Sequence, residues 1–462
     1  MASKMGIIER IYYSSPVFIK EVLLDLKGFE LKKTRYGGKY VYHYHEIKRR
    51  MEWSKDELNK LQDNLLIAAV RYAESNCDFY SRLYKPYFSD FKSICDFSAL
   101  PVITKDDLRQ YSRDILSKEF RNKKLLYLKT TGTTGAPITI PCDLESRRLH
   151  YAFYNSFLAL CGVHYNDKRI VIGGRTLLPA NSAPPFWLNS KLHNTLFMSS
   201  YHMSNDTLES YINRINSFNP TFIEAYPSAL RQLALFSLYY DVKITANTRA
   251  IVTSSEVLSD ETRSLIERAF GCKVYDQYGS VEMCGLVHQC RKGSYHVRTD
   301  YGLLEILDDN DECLEVGQVG NLVFTGFVNK AFPLVRYKIG DRGSFGGGCD
   351  CGLNTPVLES IEGRDDDYLV TKKGFKVGRM SPALKGMPII ESQFYQKVKG
   401  EVTVFVVPAP SYDSAINEEI KIRLARIFGR DMDVKVKVVK SIKRGAGNKL
   451  RAVISEVMHD QK

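Results

Sequence analysis

The sequence predicts an α/β protein, a large multilayer N-terminal body followed by a small α+β C-terminal domain. Three observations carry this. From Arg169 onward, short apolar runs alternate with stretches of helical periodicity, the grammar of strands and helices packed in layers. A glycine-rich stretch, 340–352, then interrupts that alternation. Beyond it, the Val-rich runs Val402–Val407 and Val434–Val439 flank a polar helical segment from Asn417 to Phe428.

Each element has a local reason. Ser54-Lys-Asp-Glu57 has capping-box spacing, and Leu58, Leu61, Leu65, Ala68 and Tyr72 follow at helical intervals. Thr104-Lys-Asp-Asp107 repeats the capping signal just after Leu100-Pro101. Arg169–Ile172, Thr221–Ala225, Arg249–Thr253 and Lys273–Tyr275 read as strands. Between them, Ser204–Ser217, Pro227–Tyr240 and Asp260–Phe270 read as helices, so functional loops are expected at strand ends. The resulting division is a body over residues 1–362, helical over about its first hundred residues, and a second domain over 363–462.

Composition narrows the function. The 462 residues carry 65 Lys/Arg against 53 Asp/Glu, a net charge of +12 that invites a polyanionic partner. The charge lies at the ends, however. Residues 1–60 hold 13 basic and 8 acidic side chains and residues 429–462 hold 9 and 4, leaving a nearly neutral body. Nucleic acid is therefore not the expected partner. The longest apolar runs are pieces such as Leu65–Val70, too short to span a bilayer. The N-terminus has charge within its apolar stretch and no small-residue cleavage site, and the ten cysteines are sparse; both suit a cytoplasmic protein with free thiols or a metal site. The aromatic, mildly amphipathic segment Ile7–Leu26 is expected to serve a homodimer contact or a peripheral membrane contact, with interface packing the favoured use.

The densest chemical signal is Thr130-Thr-Gly-Thr-Thr-Gly-Ala-Pro137. Two glycines permit close backbone approach, and N–H groups and hydroxyls can surround phosphate oxygens; the alternative is a plain Thr/Gly hairpin. It is not a Walker loop, since no Gly-Lys-Ser/Thr follows. A second constellation is Cys290 and His296 with Cys349 and Cys351, three thiols and an imidazole suited to a closed tetrahedral zinc site, with Cys284 and His288 as neighbouring substitutes.

Five segments in order resemble the motifs of the adenylate-forming superfamily of acyl-CoA synthetases, peptide-synthetase adenylation domains and luciferases. They are the Thr/Gly loop, Tyr278-Gly-Ser-Val-Glu282, Tyr337-Lys-Ile-Gly-Asp341, Gly363-Arg-Asp-Asp-Asp367 and Gly447-Asn-Lys-Leu-Arg451. Asn76-Cys-Asp-Phe-Tyr80 and Leu100–Leu108 resemble the phenylacetate–CoA ligase and CapK-type branch, so the likeness spans roughly residues 54–458.

The resemblance implies an adenylation domain with a mobile C-terminal lid, which converts a carboxylic acid and ATP to an acyl-adenylate and then passes the acyl group to CoA or to an amine. Thr130, Thr131, Gly132, Thr133, Thr134 and Gly135 would hold the phosphates. Glu282 would bind Mg²⁺. Ser254, Ser255 and Glu256 would border the adenine, with Asp276, Tyr278, Gly279 and Ser280 in the same nucleotide site. Asp341 would bind the ribose hydroxyls, Arg364 the ribose–phosphate region, and Asp366 would mark the hinge. Lys449 would bridge the attacking carboxylate and the α-phosphate, with Glu282 and Arg364 as its catalytic companions. The expected cofactors are ATP, Mg²⁺, structural Zn²⁺ and CoA, and zinc at 349–351 is expected to pin a loop near the nucleotide. Val281, Ile339 and Asn448 depart from the family pattern, and the alternative reading is a catalytically degenerate nucleotide-binding protein with a regulatory or scaffold role. The acyl pocket is expected to draw on Gly173–Pro185, Tyr226 and the surroundings of Gly302.

Overall fold

A twelve-stranded sheet organises most of the chain. The computed structural model describes residues 12–87, 94–130, 138–175, 177–179, 182–364, 369–374, 376–377, 384, 387–428, 431–445 and 450–457. Within the sheet, Thr195–Ser199, Arg169–Gly173, Phe222–Ala225, Ala250–Ser254 and Lys273–Gly279 run parallel in that spatial order, with Trp187–Ser190 antiparallel at the edge. From Lys273–Gly279 the sheet continues antiparallel through Leu286–Gln289, Tyr295–Val297, Val357–Arg364, Tyr337–Phe345, Gly320–Gly326 and Gly302–Leu307.

Strand alternation loads both faces of the parallel half. Ile170, Ile172, Ile223 and Ile251 pack under the helices Leu208–Phe218, Pro227–Tyr240 and Asp260–Phe270 through Ile212, Leu230, Leu233 and Ile266. Their neighbours Phe222, Ala250 and Val252 face the opposite way, onto Phe157 and Leu158 of the helix Leu144–Leu160. The helices begin where their chemistry allows. Pro227 fills the first turn, where its missing N–H costs nothing, and Ser259 accepts a bond from the Thr262 N–H at 3.2 Å.

The antiparallel half packs Val287, Leu304, Leu322, Phe324 and Tyr337 against Leu66, Val70, Tyr80 and Tyr84 of the N-terminal helices. Helix Lys55–Asn76 starts at the expected capping box: the Ser54 N–H donates to Glu57 at 2.9 Å, and the Glu57 N–H to the Ser54 hydroxyl at 3.3 Å. At Thr104 the same reciprocity brings Asp107 within 2.7 Å of the backbone N–H.

Residues 389–455 form a separate four-stranded sheet, ordered Asp433–Val438, Glu401–Pro408, Ile389–Gln396, Val453–Ser455. Helix Ala415–Phe428 covers it, and Ile420, Leu424 and Phe428 share a core with Phe394, Val402 and Val404. The N-terminal helix Val17–Tyr36 lies along the Trp187–Ser190 edge, where Glu21 accepts the Asn189 N–H at 2.8 Å. Its outer face leaves Phe18, Val22, Leu26 and Phe29 exposed. Among the described residues, no helix is long and apolar enough to cross a membrane.

Candidate active site

In an open sheet, ligands bind beyond the carboxyl ends of parallel strands, and the singled-out residues sit there. Ser254 ends the Ala250–Ser254 strand, and the chain turns at once through Ser255, whose φ of 74° lies in the left-handed region that favours glycine. That turn directs Glu256 back toward the helix Pro227–Tyr240, where it accepts the Ser228 N–H and the Ser228 hydroxyl, both at 3.0 Å. A third donor reaches it from far along the chain: the Leu450 N–H, at 3.1 Å. Burial raises the Glu256 carboxyl above its ordinary range, and the bonds from Ser228 and Leu450 act against that shift.

On the next strand, Tyr278 donates its phenol proton to Asp341 at 2.6 Å and stacks near Phe324. Burial pushes the phenol well above its usual range, and the Asp341 charge adds to the shift, so this hydroxyl stays a donor. Asp341 lies opposite Arg364 in the strand register, which brings the two motifs side by side. The Arg364 side chain, Asp366, Thr131–Gly135 and Lys449 lie outside the described residues. Thr130 closes the base of the Thr/Gly loop: its N–H reaches the Ile138 carbonyl at 2.9 Å, and its hydroxyl accepts the Ile138 N–H at 2.9 Å.

Glu282 is only 5% exposed, and no described group forms a hydrogen bond or ion pair with it. A largely buried residue whose carboxylate has no partner among the described groups offers its oxygens to a cation, and a hard one such as Mg²⁺ takes carboxylate oxygens. Close packing holds its loop in place. A Cβ at Gly302 would meet the Cys284 carbonyl oxygen at 2.4 Å, and one at Gly326 would meet the Cys284 Cα at 2.8 Å. Gly279 ends the strand, and Ser280 lies 3.7 Å from the Cys284 sulfur. Val281 is 38% exposed at the position that departs from the family motif, so its surface offers no hydroxyl. Asp276, on the face of Tyr278 but deeper, accepts from Thr253 at 2.6 Å and Tyr295 at 2.8 Å.

The Cys/His set converges as its spacing predicts. The candidate ligand atoms of Cys290, His296, Cys349 and Cys351 all lie within 4.8 Å of one another. Cys290 and Cys349 sulfurs are 3.8 Å apart, and Cys351 Sγ lies 3.3 Å from His296 Nε2. A tetrahedron of metal–sulfur bonds of about 2.3 Å has sulfur–sulfur edges near 3.8 Å, so the residues fit Zn²⁺. Thr355 engages the other ring nitrogen of His296 at 3.1 Å and so orients the imidazole. His288 and Cys284 are not part of the set. The expected proximity to the nucleotide motifs is corrected by the register. His296 pairs with Val357 and Asp341 with Arg364, at opposite ends of one strand of 8 residues, roughly 20 Å apart at about 3.3 Å per residue.

Sequence reasoning missed the contacts that dock the C-terminal sheet on the body. Arg231 donates to the Ile389 carbonyl at 2.8 Å and Gln232 donates to Glu391, which Arg444 also engages from within the C-terminal domain. These residues are far apart in sequence and carry no motif, so no local signal could have found them.

Residues 369–456 match the CapK C-terminal domain family. The chain is 29% identical to protein CapK of Staphylococcus aureus over 97% of its own length and 99% of that protein's. It is 26% identical to the phenylacetate–coenzyme A ligase of Thermus thermophilus, over 83% and 85% of the two chains. Among solved structures, 2-hydroxyisobutyryl-CoA ligase in its postadenylation state superposes with a TM-score of 0.70 at 20% identity, covering 88% of this chain and 91% of that one. The same ligase in its thioesterification state gives 0.58 at 21% identity, with the same coverage.

Proposed function

The chain belongs to the adenylate-forming superfamily, in the branch of the phenylacetate–CoA ligases and CapK-type proteins, and from that premise we propose that it is an AMP-forming acid ligase. A carboxylate oxygen attacks the α-phosphorus of ATP, the new acyl–phosphate bond forms, and the bond to the pyrophosphate leaving group breaks. The acyl group then passes to an acceptor, CoA or an amine, with release of AMP.

One observation carries this reading. The Leu450 N–H sits on Glu256, which brings the segment next to Lys449 into the crevice that Tyr278 and Asp341 share. A compact cation on a flexible stem suits the task of joining two anions. Lys449 draws the incoming carboxylate and the α-phosphate together, and Thr130–Gly135 lend backbone and hydroxyl donors to the outer phosphates. Tyr278 presents its ring to the adenine, and Ser254, Ser255 and Ser280 line the nucleotide's edge. Asp341 exchanges the Tyr278 phenol for ribose hydroxyls, beside Arg364. Glu282 would hold Mg²⁺, which when bound neutralises charge on the phosphates. Cys290, His296, Cys349 and Cys351 would hold a structural Zn²⁺ that ties the 346–352 loop to the sheet. The C-terminal domain, 363–462, turns about Asp366 between the two half-reactions.

The test is pyrophosphate release with a panel of carboxylic acids, with Lys449→Ala alongside. Activity with at least one acid and a loss of about 10²–10³-fold in the variant are expected. The competing reading, a nucleotide-binding protein without turnover, is favoured by the missing hydroxyl at Val281. It would stand if ATP binds, no acid releases pyrophosphate, and Lys449→Ala changes nothing.

A further inference from the structure

The body contains a second polar cluster that none of these roles absorbs. The Arg35 guanidinium lies 4.5 Å and that of Arg147 4.8 Å from the centre of the Tyr151 ring, so both stack on one tyrosine. Arg35 comes from the N-terminal helix, and Arg147 and Tyr151 from the helix Leu144–Leu160. Arg175, just past the carboxyl end of the Arg169–Gly173 strand, lies 5.4 Å over Phe197. The charges of Arg35, Glu224 and Arg169 all reach Arg175, where burial and then Arg35 lower the affinity for the proton. On the far side, His150 bonds the Tyr301 hydroxyl at 2.8 Å, beside Gly302.

These charges do not balance. Glu224 is the carboxylate that faces the cluster, and it is already engaged by the Tyr154 hydroxyl and by Arg169 at 3.8 Å. Among the described residues, Arg35, Arg147 and Arg175 have no carboxylate partner, and Arg147 reaches only the Tyr151 hydroxyl, at 3.2 Å. Arg35 and Arg147 are half-buried and Arg175 is exposed at the mouth of the cluster, and three guanidiniums gathered without a carboxylate among the described residues form a site for an anion from outside the chain. His150 feels the same field, held neutral by burial and then by Arg147 and Arg35, with its pKa lowered to about 3.

Position says what the anion belongs to. Arg175 follows the Arg169–Gly173 strand, Tyr226 the Phe222–Ala225 strand, Glu256 the Ala250–Ser254 strand and Tyr278 ends the next. At about 4.8 Å per strand, Arg175 stands roughly 10–14 Å from the nucleotide residues. That is the span of a substrate whose reacting carboxylate sits at the adenylate and whose far end reaches the arginines. We infer that this cluster is the distal end of the acyl pocket and that the acid it activates carries a second anionic group, a carboxylate or a phosphate. The inference rests on the ligase reading for the identity of the near end. The anion site itself stands on the unpaired arginines.

The experiment pairs acids matched in size, sebacate with decanoate and dodecanedioate with dodecanoate, whose two ends can cover that span, and compares kcat/KM for pyrophosphate release. The dianion should be favoured by about tenfold or more, and Arg175→Gln and Arg147→Gln should each shrink that ratio by about tenfold, through KM. A preference for the monoanions, or a ratio that neither variant moves, overturns the inference. A second arm needs no turnover: inorganic sulfate is titrated against thermal unfolding of the ATP-free full chain. Sulfate should raise the unfolding temperature of the wild type and do so far less in the Arg147→Gln/Arg175→Gln double variant. Equal responses, or none in either, overturn the anion site. If no acid releases pyrophosphate while the sulfate difference holds, the ligase reading fails and the anion site survives.

Discussion

The two halves of the central sheet treat their buried charges in opposite ways. In the antiparallel half, the two buried arginines among the described residues, Arg298 and Arg336, both meet their partners. Arg336, 2% exposed, makes a two-point pair with Glu305 at 3.0 and 3.2 Å and also donates to the carbonyls of Ser98, at 2.6 Å, and Leu100. Arg298 makes a second such pair with Asp300, both bonds at 3.0 Å. At the carboxyl ends of the parallel half, and among the described residues only, Glu282 is largely buried without an ion-pair partner, and Arg35, Arg147 and Arg175 pair with no carboxylate. The same residue types are paired where they hold the fold, and under the proposed function a ligand supplies the counter-charge where they are not. Leaving a charge unpaired costs stability, so it persists where binding repays the cost.

The sharpest way to break that contrast is Arg336→Ala. It strands Glu305 and two carbonyls in the core, and the expected loss is about 3–5 kcal/mol in urea unfolding. A loss under about 1 kcal/mol would remove the distinction. Next comes the metal cluster, also in the antiparallel half. One zinc per chain by elemental analysis is expected, and Cys351→Ser should lose it along with about 2–3 kcal/mol.

A smaller effect concerns pH. The His150 pKa falls from 6.5 to about 3 in the folded chain, whereas the unfolded chain takes up its proton near 6.5. Stability contributed by the neutral ring is therefore present above pH 6.5 and is lost progressively as pH falls toward 3. The urea midpoint should drop between pH 7 and pH 5, and His150→Gln should reduce that drop. The smallest change in stability belongs to Arg175→Ala, within about 0.5 kcal/mol of the wild type in the ligand-free chain. A large destabilisation there would place Arg175 with Arg336 as a structural residue.

Legibility followed the range of the forces involved. The Ser54 capping box, Pro227 at a helix start and the alternation that separates Ile223 from Phe222 all act within a few residues, and the corresponding elements stand where expected. The strand Lys273–Gly279 outran its expected end at Tyr275, because Gln277, Tyr278 and Gly279 gain partners from Leu286–His288 across the sheet. Leu286–Gln289 is buried on both faces, and without alternation its period could not be read. The Cys/His spacing was legible as a ligand set, but its place at the far end of the strand from Asp341 was not, since register between distant strands leaves no mark on either one.

By itself the sequence determined the α/β class, the order of the nucleotide motifs and the residue types that could meet phosphate, metal and carboxylate. Those are properties of short segments, where backbone geometry, capping and donor chemistry act locally. Only the tertiary structure decided which charges remained unpaired. Leu450 met Glu256 across 194 positions, and Arg35 and Arg147 met on one face of Tyr151. Pairing is a matter of distance in space, and the dielectric that gives an unpaired charge its cost exists only once the chain has folded around it.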